Sequence, residues 1–76
     1  VAIGTGAQVT AINGVALGSG ALADRGALTG YVAAGITGTS NSVGAVSVGA
    51  AGSLRQITNL APGSALTDAA TVGQVQ

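Results

Sequence analysis

Residues 1–7 read VAIGTGA, and residues 15–21 repeat them as VALGSGA. The two copies lie fourteen residues apart, and a third version of their opening, VSVG, occupies residues 46–49. A fixed period in so short a chain is typical of one structural unit stacked on copies of itself. The repeat therefore predicts a stack of similar turns.

Each repeat contains two strand-like pieces separated by glycines. Residues 1–3 (VAI) and 15–17 (VAL) are apolar at every position, which indicates strands covered on both faces. Residues 7–11 (AQVTA) alternate between small apolar and polar side chains, which indicates a half-exposed strand. In the second copy Leu22 interrupts the polar face. The pattern predicts a parallel β-roll with an interior, a polar outer face in contact with solvent, and an apolar outer face that must pack against another surface. The period leaves the handedness of the roll open.

The composition indicates that partner subunits are needed. The chain has 76 residues with fourteen glycines, one aromatic residue and four charged residues, and it has no cysteine or histidine. Chains this short usually require disulfides, a metal or oligomerisation, and the first two are excluded or nearly so. No basic patch is available for nucleic acid, and no apolar run is long enough to span a bilayer. The chain opens in mid-strand without a methionine, so we expect it to be a piece of a longer protein.

An insert interrupts the fourteen-residue repeat between residues 26 and 45. The spacing shows this, because Val46 follows Val15 by three residues more than two full periods. Within the insert, residues 30–35 are predicted to form an extra strand, followed by a loop through Asn41. The rhythm resumes with the strand around Val46.

The last part of the chain has a different character. Apolar residues at 54, 57 and 60 are compatible with a short helical turn or an extended arm, which Pro62 and Gly63 end. Thr67 is then predicted as the N-cap of a helix, with Asp68 at its positive end. Because an isolated helix of this length is marginal in water, we expect these to be the first turns of a coiled coil.

The chain offers little for catalysis or for ligand binding. Residues 18–23 (GSGALA) formally fit a dinucleotide-binding loop, but an alternating strand follows instead of a helix, which favours a repeat corner. There is no histidine, cysteine or lysine to activate a nucleophile, and Asp24 and Asp68 are too far apart in the chain to suggest a carboxylate pair or a metal site. We therefore predict no enzyme activity, no cofactor and no metal. The adjacent Asp24 and Arg25 favour solubilising surface over a ligand contact.

Residues 47–49 (SVG), 55–64 (RQITNLAPGS) and 67–69 (TDA) resemble the neck of trimeric autotransporter adhesins. The family pattern runs roughly SVG, a short spacer, RQITNVAxG, then TDAVNVxQL. Residues 1–23 resemble head repeats of the Yersinia-adhesin type, so the resemblance covers nearly the whole chain. It departs from the pattern at residues 70–71, which read AT where the family has VN, and at Val75, where the family has leucine.

The resemblance implies a mainly β protein: a left-handed parallel β-roll of 14-residue repeats in a homotrimer. Residues 1–48 would be the end of the head with its insert at 26–45, residues 49–66 the neck, and residues 67–76 the start of a stalk helix that opens a trimeric coiled coil. It further implies a bacterial surface adhesin that is held in the outer membrane by a C-terminal barrel outside this chain. Such a protein attaches to a host extracellular-matrix protein, a cell-surface receptor or other bacteria, without catalysis.

The trimer interface is predicted from the larger apolar side chains outside the repeat core and from the charges of the neck. Arg55 stands in a segment nearly free of charge, so we expect it to hold backbone carbonyls or a carboxylate across the subunit boundary, such as Asp68. The predicted interface residues are Val48, Leu54, Arg55, Ile57, Leu60, Asp68, Val72 and Val75. The alternative is an ice- or surface-binding solenoid, suggested by Thr37 and Thr39, although that pair occurs once rather than in every turn.

Overall fold

The computed structural model describes all 76 residues as a mainly β chain with one short helix, as predicted. Its elements are β1 (Ala2–Ile3), β2 (Gln8–Val9), β3 (Val15–Leu17), β4 (Leu22–Ala23), β5 (Leu28–Tyr31), β6 (Ser40–Ser42), β7 (Val46–Ser47) and α1 (Val72–Val75). No helix has the length and apolar character needed to cross a membrane.

The sequence period is the offset between paired strands. β1 lies parallel to β3 with Ala2 opposite Ala16, and β2 lies parallel to β4 with Gln8 opposite Leu22. Both offsets equal fourteen residues, so equivalent side chains of the two repeats stack on one another. β7 then adds to the other side of β3, which completes the parallel sheet β1–β3–β7.

The insert is an antiparallel hairpin formed by β5 and β6. The predicted strand at residues 30–35 lies earlier, at Leu28–Tyr31, and part of the predicted loop is the second strand, Ser40–Ser42. Two side chains explain this difference. The Asn41 Oδ1 atom accepts the Gly30 N–H at 2.8 Å, and the Ser42 hydroxyl accepts the Leu28 N–H at 3.2 Å. Polar side chains thus supply hydrogen bonds that an apolar pattern does not reveal.

The core is a thin layer of alanines between the two parallel sheets. The side chains of Ala16, Ala21 and Ala23 are buried, and Ala7 and Val9 pack against them. Alanine leaves room for the sheets to approach closely, but it removes little apolar area from water. The interior of one chain is therefore small for its length.

The predicted helix start at Thr67 and Asp68 is wrong, because α1 begins at Val72 with Thr71 as its N-cap. The Asp68 carboxylate instead accepts the N–H groups of Ser64 and Ala65, at 3.0 and 3.1 Å. It therefore closes a turn that precedes the helix. Between the turn at residues 50–53 and this second turn the chain has neither helix nor strand, so of the two alternatives for residues 54–60, a helical turn or an extended arm, the structure has the arm.

Candidate functional site

The outer side of the sheet β1–β3–β7 carries large apolar side chains, which we call the apolar face: Val1, Ile3, Val15, Leu17 and Val46. Ala16 points inward and is fully buried, so its neighbours on the strand point outward. The strand register places Ile3 beside Leu17 and Val15 beside Val46, which makes the face continuous across the strands. Val1 and Val46 are 73% and 67% exposed in one chain.

The arm and helix expose a second set of apolar side chains. Leu54 is 90% exposed, and Ile57, Leu60, Val72 and Val75 are also open to solvent. Clusters of exposed aliphatic side chains on a chain with so few charges mark an interaction surface rather than a solvated one.

The predicted interface residues of the arm gather around two open grooves. One groove of about 430 Å³ lies between the sheet and the arm and is lined in part by Val48, Leu54 and Arg55. The other, of about 500 Å³, lies between the arm and the C-terminal segment and is lined in part by Ile57, Leu60 and Val72. Arg55 contributes to both grooves, whereas Val75 lines neither.

The Arg55 guanidinium binds two backbone carbonyls of its own chain. Nη1 donates to the Val48 oxygen at 2.5 Å, and Nη2 donates to the Ser19 oxygen at 3.1 Å. Ser19 belongs to the corner of the second repeat, thirty-six residues earlier. The arginine therefore joins the start of the arm to the end of the stack of repeats.

Asp68 is placed by its own turn rather than by Arg55. Hydrogen bonds from the backbone N–H groups of Ser64 and Ala65, with a weaker one from the Ser64 hydroxyl, lower the pKa of Asp68 because they stabilise the charged carboxylate. Within one chain both predicted partners are engaged elsewhere. An ion pair between Arg55 and Asp68 across a subunit boundary stays a prediction.

Known proteins resemble this chain in sequence and in fold. No family model matches the chain. The autotransporter adhesin EhaG of Escherichia coli O157:H7 is 51% identical over all 76 residues, which span 5% of its length. The C-terminal YadA-like domain of BPSL2063 from Burkholderia pseudomallei has 38% identity and a TM-score of 0.75, and the match covers 99% of this chain and 38% of that one.

The chain belongs to the trimeric autotransporter adhesins.

The resemblance read from the neck and head motifs is thereby confirmed. The matched relative is an adhesin, and the solenoid alternative is not favoured. Thr37 and Thr39 lie in the loop between β5 and β6, outside the parallel sheets. The glycines at 18 and 20 belong to the corner between β3 and β4, with no helix after them, so they do not form a dinucleotide-binding loop.

Two features of this adhesin segment were missed in the sequence. The first is the set of residues on the apolar face: the apolar character of both faces of the strands predicts a surface that excludes water, but it does not assign these residues to the subunit interface. Gln74 was not singled out, although its amide donates to the Gly63 oxygen and accepts from the Gly63 and Thr71 N–H groups. The spacing of Thr71 and Gln74 is that of a capping box, which could have revealed the helix start.

Proposed function

We propose that this chain joins the head to the stalk of a homotrimeric surface adhesin. In this proposal residues 1–48 end the head as a left-handed parallel β-roll with its hairpin insert at 26–45, residues 49–66 form the neck, and residues 67–76 lead into the stalk helix. The observation that carries it is the contrast between a core of three alanines and the large aliphatic side chains exposed on the same chain.

The free energy available from shared burial supports assembly. Fully burying a valine, leucine or isoleucine stabilises by about 1.5–3 kcal/mol relative to leaving it exposed. Several such side chains lie on the apolar face, and further ones lie along the arm. One chain cannot cover them with its alanine core, whereas neighbouring copies can. The number of copies, three, comes from the family.

The neck proposal rests on the two grooves beside Arg55. Each is open and lined largely by aliphatic groups, among them Leu54 in one groove and Ile57 and Leu60 in the other. Segments of a neighbouring copy that carry the same apolar residues would fill these grooves. The chains would then cross at the neck. The heads of neighbouring copies could therefore not separate from one another without disrupting the arms.

The stalk proposal rests on the C-terminal helix. α1 has only four residues, too few to be stable alone in water. Val72 and Val75 are exposed and three residues apart, which suits a coiled-coil seam shared by three helices. Packing in a trimer would therefore supply the stability that this helix lacks by itself.

The role of the assembled protein would be attachment without catalysis, cofactor, metal or nucleic acid. Its partners would be a host extracellular-matrix protein, a cell-surface receptor or other bacteria, and it would be displayed on the outer membrane through an anchor outside these residues. The polar residues on the outer side of the stack, such as Gln8 and Thr10, are exposed and uncharged. They suit broad surface contact rather than a small-molecule site.

Analytical ultracentrifugation of the chain tests the proposal. A species of three times the mass of one chain is expected, and a folded monomer at micromolar concentration would contradict it. Binding of that trimer to immobilised collagen, fibronectin and laminin, and to itself, then tests attachment by this segment separately from assembly. If the trimer binds none of these surfaces, this segment has only the architectural role.

A further inference from the structure

Successive turns of the stack meet closely at their glycine corners. Gly4 has a φ of +124°, and a Cβ atom built on it would lie 2.5 Å from the carbonyl carbon of Gly18 and 2.7 Å from the nitrogen of Ser19. Both positions are closer than real Cβ contacts allow. The peptide group that joins Gly18 to Ser19 therefore packs directly against the glycine of the turn before.

Gly18 is the equivalent corner one turn later, with a φ of +123°. The three atoms nearest to a Cβ built on Gly18 do not belong to a third corner, and after Gly49 the chain turns so that Ala50 pairs with Ser53. A Cβ atom on Gly18 would instead overlap Nη1 and Cζ of the Arg55 guanidinium. A planar guanidinium thus occupies the position that the next peptide group would take.

The hydrogen bonds repeat in the same way. In the first turn the Thr5 oxygen accepts the backbone N–H of Gly20 at 2.9 Å. Ser19 is the equivalent of Thr5 in the second turn, and its oxygen accepts Nη2 of Arg55 at 3.1 Å. The arginine therefore reproduces both the stacking and the hydrogen bond of the corner that would follow β7 in a complete third turn.

We propose that Arg55 is the end cap of the stack: its guanidinium stands in for the peptide group of the next turn and closes this end to strand addition by a second copy of the chain. Arginine suits this role because its charge is spread over a planar group with several donors, whereas lysine offers a single charged point. Open strand edges invite further strands, and stacked-repeat proteins need distinct ends to remain soluble. The cap lies within one chain, so it does not depend on the trimer.

A double-mutant cycle tests where the guanidinium lies. Gly18→Ala should lower Tm by straining the backbone and by displacing Arg55, so in the Arg55→Ala background its Tm decrease should shrink to about half because only the strain remains. Gly30→Ala is the control for backbone strain alone, since Gly30 has a φ of +65° and a Cβ atom there would meet no other atom within 4 Å. Its effect should be equal in both backgrounds. Equal effects of Gly18→Ala in both backgrounds would overturn the placement.

A peptide with the sequence of residues 18–23, GSGALA, tests the closing function, because it is the part of a third turn that would follow the strand β7 already beside β3. Labelled with a fluorophore, it should bind Arg55→Ala in a fluorescence anisotropy titration and bind the wild-type protein at least tenfold more weakly. Arg55→Lys retains the charge without the planar fork, and it provides a milder variant should Arg55→Ala fail to fold. We expect Arg55→Lys to bind the peptide more tightly than the wild-type protein, as Arg55→Ala does. Equal binding to wild type and variants, or binding to none of them, would overturn the closing role.

Discussion

The stack of repeats and the arm that follows it are held by different forces. In the stacked repeats, backbone hydrogen bonds between turns hold the chain, and the Gly49 oxygen accepts the Leu22 N–H at 3.0 Å. Beyond the turn at residues 50–53, backbone hydrogen bonds are short-range, such as that from the Asp68 N–H to the Ala65 oxygen. The other bonds in this region come from three polar side chains, those of Arg55, Asp68 and Gln74, to backbone groups. Stability is spread over a periodic ladder in the first region and concentrated in a few residues in the second.

The two regions also share a property. Each leaves its largest aliphatic side chains in water, Ile3 and Leu17 in the stack and Leu54 and Ile57 in the arm. Neither the ladder nor the polar side chains remove this surface from water. The comparison indicates that backbone and polar bonds set the shape of the chain, while apolar burial remains available for assembly.

The largest effect is expected where the two sheets of the stack meet. Replacing Ala16 by leucine overpacks the alanine layer and should lower the free energy of unfolding by about 3 kcal/mol, measured by urea denaturation. Ala51→Leu is the control, since Ala51 is exposed in the turn after the stack. Equal stability of the two variants would show that the alanine layer is not a tightly packed core.

A smaller loss of stability, which affects only the assembly of subunits, is expected from substitutions on the apolar face. Leu17→Asp should remove about 2 kcal/mol of apolar burial per chain and add a charge to a covered surface, so the sedimenting mass should fall. Thr10→Asp places the same charge on the exposed polar side of the stack and should leave the mass unchanged. If Leu17→Asp sediments like the wild type, the apolar face is not the subunit interface.

In the arm, loss of a single polar side chain should act locally. Gln74→Ala removes hydrogen bonds to Gly63 and Thr71 and should cost about 1 kcal/mol of local stability. Faster hydrogen exchange at the amides of those two residues would show it. Gln56→Ala, at an exposed position of the same arm, should leave the exchange unchanged, and equal exchange in both variants would contradict the role of Gln74.

The smallest effect is the response of Asp68 to pH. Its pKa is lowered in the folded chain by hydrogen bonds from Ser64 and Ala65, so the carboxylate stabilises the turn above its unfolded pKa. This stabilisation is lost as the pH falls through the lower, folded pKa. The amide chemical shifts of those two residues should therefore move in acid. In Asp68→Asn they should not, and shifts that persist in that variant would exclude Asp68 as their source.

The repeated motif of residues 1–7 and 15–21 predicted the strand pairs at an offset of fourteen, because parallel strands in register place equivalent side chains together. The motif of the neck predicted the family. The second strand of the insert was not predictable from hydrophobicity, since the side chains of Asn41 and Ser42 hold it. The helix start was placed too early because Asp68 closes a turn instead of opening the helix.

By itself the sequence determined the period, the alanine layer, the apolar character of both strand faces and the shortage of charge. These follow from side-chain size and spacing, which are local properties. Only the tertiary structure decided that Arg55 would meet Ser19, because thirty-six residues and an inserted hairpin separate the two. The path of the backbone after Gly49 sets that contact, and a backbone path follows from the packing of the whole chain rather than from any one segment.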